Sequence, residues 1–208
     1  ELEDRCYPYN NSGSQDPDNA YTKTYAITKL YSGTFTGENK FAKASEDASM
    51  YLRSINGFND GATKFEMYGG DITGNVYAGA RMATTGADQD ENILDFYGGN
   101  ITGNVFGHGS KDSSVGNSNI ELGGRFAITG NIFGGSNATT VGQGKVTGNS
   151  TIKMNTASVT VDGNIYGGSN GIIDGTSINQ NNGLITGDTN IEINAGTVTA
   201  DIFGGGYN

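Results

Sequence analysis

Asn92–Gly107 reads NILDFYGGNITGNVFG, and its parts return along the chain. They appear at Lys64–Ala78 (KFEMYGGDITGNVYA), Asn119–Gly134 (NIELGGRFAITGNIFG), Thr151–Gly167 (TIKMNTASVTVDGNIYG) and Asn190–Gly204 (NIEINAGTVTADIFG). Lys29–Ala42 (KLYSGTFTGENKFA) is a degenerate first copy. A period of a few tens of residues is the mark of a stacked repeat architecture.

Each unit contains three strand-like pieces. The first alternates apolar, charged, apolar, as in Phe65-Glu66-Met67, Leu94-Asp95-Phe96 and Ile120-Glu121-Leu122. Such alternation sends hydrophobes to one face and charge to the other. The second carries Ile72, Ile101, Ile128, Val161 and Val198; the third carries Val76-Tyr77, Val105-Phe106, Ile132-Phe133, Ile165-Tyr166 and Ile202-Phe203. A Gly-Asn pair (Ala200-Asp201 in the last unit) separates the second from the third, and predicts a bend at one corner. Successive bends lie 29 (75 to 104), 27 (104 to 131), 33 (131 to 164) and 37 (164 to 201) residues apart. The pieces keep their lengths while connectors at 81–92, 110–118, 136–150 and 169–189 vary. These connectors are rich in Ser, Thr, Asn, Asp and Gly and read as loops along one edge, where function is expected.

One unit cannot bury its own apolar face, but adjacent units can, with Ile72, Ile101, Ile128, Val161 and Val198 in one interior column. The expected fold is all-β: a right-handed parallel β-helix of three short strands per coil. Residues 1–60 would form an irregular N-terminal cap and a degenerate first coil, and residues 61–208 the repeats. A short helix is expected within Asn39–Arg53.

Composition narrows the function. There are 35 Gly but 2 Pro, no 18-residue apolar run, and a formal charge of −10 without a Lys/Arg cluster. A membrane span in this stretch and a nucleic-acid partner are therefore disfavoured. Cys6 is the only cysteine, so no internal disulfide can form.

The GG-x-ITGN-(V/I)-(F/Y)-GG pattern resembles the Gly/Asn-rich solenoid repeats of bacterial surface and adhesin-like proteins, including autotransporter passenger-like domains. The resemblance covers residues 61–208. It implies an extracellular or cell-surface stalk or adhesive module, cut from a longer chain, that contacts a glycan or a host surface protein. It carries no catalytic residue over.

Candidate residues follow from stacking. Tyr77, Phe106, Phe133 and Tyr166 form an aromatic ladder. Facing outward it would stack on sugar rings; facing inward it would fill a core. His108, the only histidine, stands where neighbouring units have Gly79 and Gly135, and reads as an exposed ligand-contacting residue at a loop start. Asn75, Asn104, Asn131, Asn164 and Asp201 would stack at the corner. Glu66, Asp95, Glu121, Lys153 and Glu192 would line a solvated face. Calcium is the one cofactor left open, at Asp88, Asp90 and Glu91, or at Asp16, Asp18 and Asn19, where an Asx turn around Pro17 competes. No GGxGxDxUx nonapeptide occurs. The rival is a carbohydrate-active β-helix enzyme, for which Asp71, Asp95 and Arg125 are the candidates.

Overall fold

The computed structural model describes residues 25–36, 49–51, 62–79, 91–110, 114–138, 144–171 and 183–207. Among them every regular element is a strand and every pairing of strands is parallel. The first repeat supplies β1 (Tyr25–Leu30), β2 (Thr34–Thr36) and β3 (Ser49–Tyr51). The second supplies β4 (Ala62–Met67), β5 (Asp71–Thr73) and β6 (Asn75–Tyr77). The third has β7 (Glu91–Thr102) and β8 (Val105–Phe106), followed by β9 (Ser114–Val115). The fourth has β10 (Asn117–Ile128) and β11 (Ile132–Phe133), then β12 (Val146–Thr147). The fifth and sixth contribute β13 (Ser150–Met154), β14 (Val159–Val161), β15 (Ile165–Tyr166), β16 (Thr189–Ile193), β17 (Thr197–Val198) and β18 (Ile202–Phe203).

Equivalent strands are neighbours. One sheet runs β1-β4-β7-β10-β13-β16, with β2, β5, β14 and β17 attached alongside, and a second runs β3-β6-β8-β11-β15-β18. The first two pieces of each repeat therefore share one sheet instead of forming two. In β7 and β10 they fuse into 12-residue strands, because the ladder resumes at Gly98 and Arg125 after one irregularity. The connectors are not all loop either. β9 and β12 pair in a third sheet, and an isolated bridge carries Val146 on to Ile185. Ser49–Tyr51 is a strand paired with β6, where a helix was expected; the rest of 39–53, and residues 1–24, lie outside the described residues.

The register builds the core. Ile72 pairs with Ile101, Ile101 with Ile128, Ile128 with Val161 and Val161 with Val198. Beside this column run Phe65, Leu94, Ile120 and Ile152, and across from it Val76, Val105, Ile132 and Ile165, all buried in one cluster. Each such side chain contributes on the order of 1.5–3 kcal/mol. At the last repeat no described strand lies beyond β16–β18, and Ile202 and Phe203 are 47% and 42% exposed.

The corner glycines answer to two demands. Gly103 has a φ of +154°, which disfavours a side chain. At Gly130 and Gly163 the demand is room, since a Cβ would overlap the carbonyl of the glycine one repeat earlier.

Candidate functional site

The charged residues of the first pieces lie on the side of the first sheet opposite the core, in register from Lys29 through Glu66, Asp95, Glu121 and Lys153 to Glu192. This face is not simply solvated, as the alternation suggested. Glu66 and Asp95 are only 8% and 7% exposed. Lys64 Nζ lies 3.0 Å from Glu66 Oε1 and 3.2 Å from Asp95 Oδ2, and Lys29 Nζ lies 2.9 Å from Glu66 Oε2. Like charges one strand apart would repel, and the two lysines relieve it. Hydrogen bonds from Lys29 and then Lys64 hold the Glu66 carboxyl below its usual range. Burial pushes the Asp95 carboxyl up, outweighing Lys64. Lys64 is raised in turn, chiefly by its bond to Glu66.

Over these carboxylates stands an exposed tyrosine ladder that the sequence reading missed. Tyr31, Tyr68 and Tyr97 stack with centroids 5.0 Å apart at each step. The Tyr68 hydroxyl donates to Glu66 Oε2 at 3.3 Å and the Tyr97 hydroxyl to Asp95 Oδ2 at 3.5 Å. Burial, then the Asp95 charge, raises the Tyr97 phenol. The signal was present as Tyr-Gly-Gly at 68–70 and 97–99, spaced by the same 29 residues as the corner asparagines. In the next repeat the equivalent place falls to Gly123 and Gly124. Both oppose Tyr97 in a β-bulge, with Gly124 at φ +62°.

The other ladder has its place inside. Tyr77, Phe106, Phe133 and Tyr166 are at most 5% exposed and form a second buried cluster. Their planes lie within 5° of parallel at 4.7–4.9 Å. Each follows a Val or Ile of the aliphatic core, so period-two alternation puts the rings on the opposite side of the second sheet. That side is buried as well, so of the two alternatives the rings take the inward one, filling a core and forming no outward sugar-stacking stripe. Asn75 and Asn137 donate to the Tyr77 hydroxyl at 3.4 and 2.8 Å, and Asn164 to that of Tyr166 at 3.1 Å.

His108 is also buried, at 0% exposure, and not the exposed ligand contact expected at a loop start. The reason lies in how repeats close. Thr63 donates to Ala78 O at 3.0 Å, Ser118 to Gly134 O at 2.6 Å and Thr189 to Gly204 O at 2.6 Å, each tying a first strand to the end of its third. In the repeat between, the hydroxyl is replaced by Asn92, whose Nδ2 lies 3.3 Å from His108 Nδ1. Thr63 also donates to Asn92 Oδ1 at 2.9 Å.

The corner asparagines do form a ladder, though not amide on amide. Each Oδ1 accepts from the next backbone N–H: Asn75 from Asn104, Asn104 from Asn131 and Asn131 from Asn164 at 2.8 Å, and Asn164 from Asp201 at 2.9 Å. A second ladder of this kind, unread in the sequence, runs Asn117 to Asn149 to Asp188. Its echo is the Gly-Asn or Gly-Asp pair at 116–117, 148–149 and 187–188.

Of the calcium candidates, Asp16, Asp18, Asn19, Asp88 and Asp90 lie outside the described residues, and Glu91 opens β7. Among the described residues no group of three or more His, Cys, Asp or Glu is placed to hold a metal, and no helix is long and apolar enough to cross a membrane. Asp71 accepts from Asn100 at 2.7 Å on the surface, and Arg125 is exposed. Compared with protein-family models, curated proteins and solved structures, the chain matches none.

Proposed function

We propose that the parallel sheets close into a right-handed β-solenoid that acts outside the cell as a non-enzymatic adhesive or stalk module, contacting glycan through the outer face of the first sheet. Parallel strands joined by crossovers favour the right-handed winding. The observation that carries the binding reading is the exposed tyrosine ladder above bridged carboxylates: flat apolar rings beside hydrogen-bonding groups suit sugars, which have both apolar faces and hydroxyl rims. In-register neighbours support a rigid mount for it. Binding on a glycan array, without release of products from the bound polysaccharide, is the expected outcome. Silence across the array would sink the adhesive reading.

One observation favours a second reading, the carbohydrate-active enzyme. Glu66, Asp95 and Glu121 stand in register on one face, and the first two are pushed in opposite directions, as an acid–base pair requires. Reducing ends released from a polysaccharide, and lost in Asp95→Asn, would establish it.

A further inference from the structure

We infer that the gap in the tyrosine ladder at Gly123–Gly124 is the binding site itself, and that it takes one neutral hexopyranose ring of a glycan, stacked on the free face of Tyr97. The inference rests on the glycan-binding reading above and gives it a place and a ligand class.

The ladder sets the geometry. Tyr31, Tyr68 and Tyr97 repeat at 5.0 Å, so the inner faces are occupied by one another. Tyr97, 43% exposed, has its far face turned toward the fourth repeat, where the next ring would stand. The chain has Gly123 there. A Cβ built on Gly123 meets only the Phe96 carbonyl oxygen, at 3.6 Å, so the position is open. Gly124, the other half of the bulge, cannot carry a side chain: its φ is +62° and a Cβ would overlap the Tyr97 carbonyl. Bulges of this sort commonly re-aim side chains beside functional sites.

A wall faces Tyr97 across the gap. Asn155 follows Met154, which pairs with Leu122, and its N–H donates to Leu122 O at 3.0 Å. It therefore stands one strand beyond Gly123, with Thr156 beside it donating to Gly124 O at 2.8 Å. From Tyr97 to Asn155 is two strand spacings, about 9.6 Å. Subtracting the half-thickness of each wall leaves room for one ring.

Chemistry selects the ring. One wall is aromatic and takes the C–H face of a sugar. The other is polar: Asn155 Nδ2 donates to Glu121 Oε1 at 2.9 Å and its Oδ1 accepts from Asn194 at 3.0 Å. Glu121, half-buried beside the gap and in register with Asp95, offers a carboxylate that accepts from a sugar hydroxyl. A flat apolar ligand would strip water from these exposed polar groups and return no hydrogen bond, at a cost. An acidic sugar would meet Asp95, Glu121 and a chain of net charge −10. Tyr31, at the other end of the ladder, has no facing wall among the described residues.

Isothermal titration of the whole chain with cellohexaose, maltohexaose and mannohexaose, and with hexagalacturonate as the acidic comparator, tests this. At least one neutral hexamer binds and the acidic one does not. Tyr97→Ala weakens binding roughly tenfold or more, the loss of one stacked ring. Gly123→Tyr, which completes the ladder, does the same while leaving thermal unfolding unchanged or raised. If Gly123→Tyr folds poorly, Asn155→Ala replaces it as the second variant. Binding untouched by both gap variants overturns this site but leaves the glycan-binding function standing. Preference for hexagalacturonate overturns the ligand class. Failure of all four hexamers together with silence on the glycan array removes site and function alike; failure of the hexamers with array binding elsewhere removes the site alone.

Discussion

Glu66 is a side chain whose ionisation bears on the fold, because two lysines meet a carboxylate that is largely shielded from water. Its folded-state pKa is depressed. The stabilisation is therefore present above the unfolded value and lost as pH falls through the lower, folded one. Glu66→Gln should cost about 2 kcal/mol at pH 7, the scale of hydrogen bonds to a charged group. In urea unfolding at stepped pH the gap from the parent should close toward pH 3; a gap constant with pH would show that packing, not charge, was lost. A second residue-scale test concerns the closure of the third repeat. Asn92 and His108 replace the Ser or Thr and the Gly that other repeats use, and they contact each other. Asn92→Ser and His108→Gly should each destabilise. Together they should cost about 1–2 kcal/mol less than their sum, since the second change removes a partner already lost. Additivity would mean the contact carries no energy.

At the scale of elements, the ladders divide into those that hold the second sheet and those that hold its corners. Phe133 stacks between Phe106 and Tyr166 and is 3% exposed, whereas Phe203 stacks on one side only and is 42% exposed. Phe133→Ala should cost about 3–5 kcal/mol through the cavity left, and Phe203→Ala well under half of that, in the same thermal or urea experiment. Asn131 accepts from the Asn164 N–H. Asn131→Ala should cost about 1–3 kcal/mol by stranding that donor, while Asn131→Asp keeps a side-chain acceptor and should cost less. What could be read beforehand was whatever period-two alternation governs. Ile72, Ile101 and Ile128 met as expected because core burial penalises any slip in register. Alternation also set Tyr77 and Phe106 against Val76 and Val105, but it says only that a side chain points away from one core, not whether something covers the other side. Tyr97 escaped notice for the opposite reason: it lies past the end of the alternating triplet, beside glycines that read as mere turn. The strands β9 and β12 were hidden in connectors whose Ser, Thr and Gly content imitates a loop.

For the whole molecule, the consequence of parallel register is that each repeat touches the ones before and after it and little else. The central strands β7 and β10 have a partner on both edges in the first sheet, while β16 is paired to β13 alone and β18 to β15 alone. Stability in such an array is a sum of repeat terms and neighbour terms, so it declines where a neighbour is missing. Native-state hydrogen exchange should therefore grade along the chain. Amides of Leu94, Ile120 and Ile101 should open only with the largest free energies, and those of Ile191, Val198 and Ile202 with much smaller ones, even though all six occupy equivalent places in their repeats or in adjoining columns. Phe133→Ala makes the test sharper. If coupling is to the nearest neighbour, it should lower protection in β8, β11 and β15 together and leave β4 nearly unchanged. Uniform loss of protection from β4 to β18 would show instead a single cooperative core, in which case the repeats share a fold without being its energetic units.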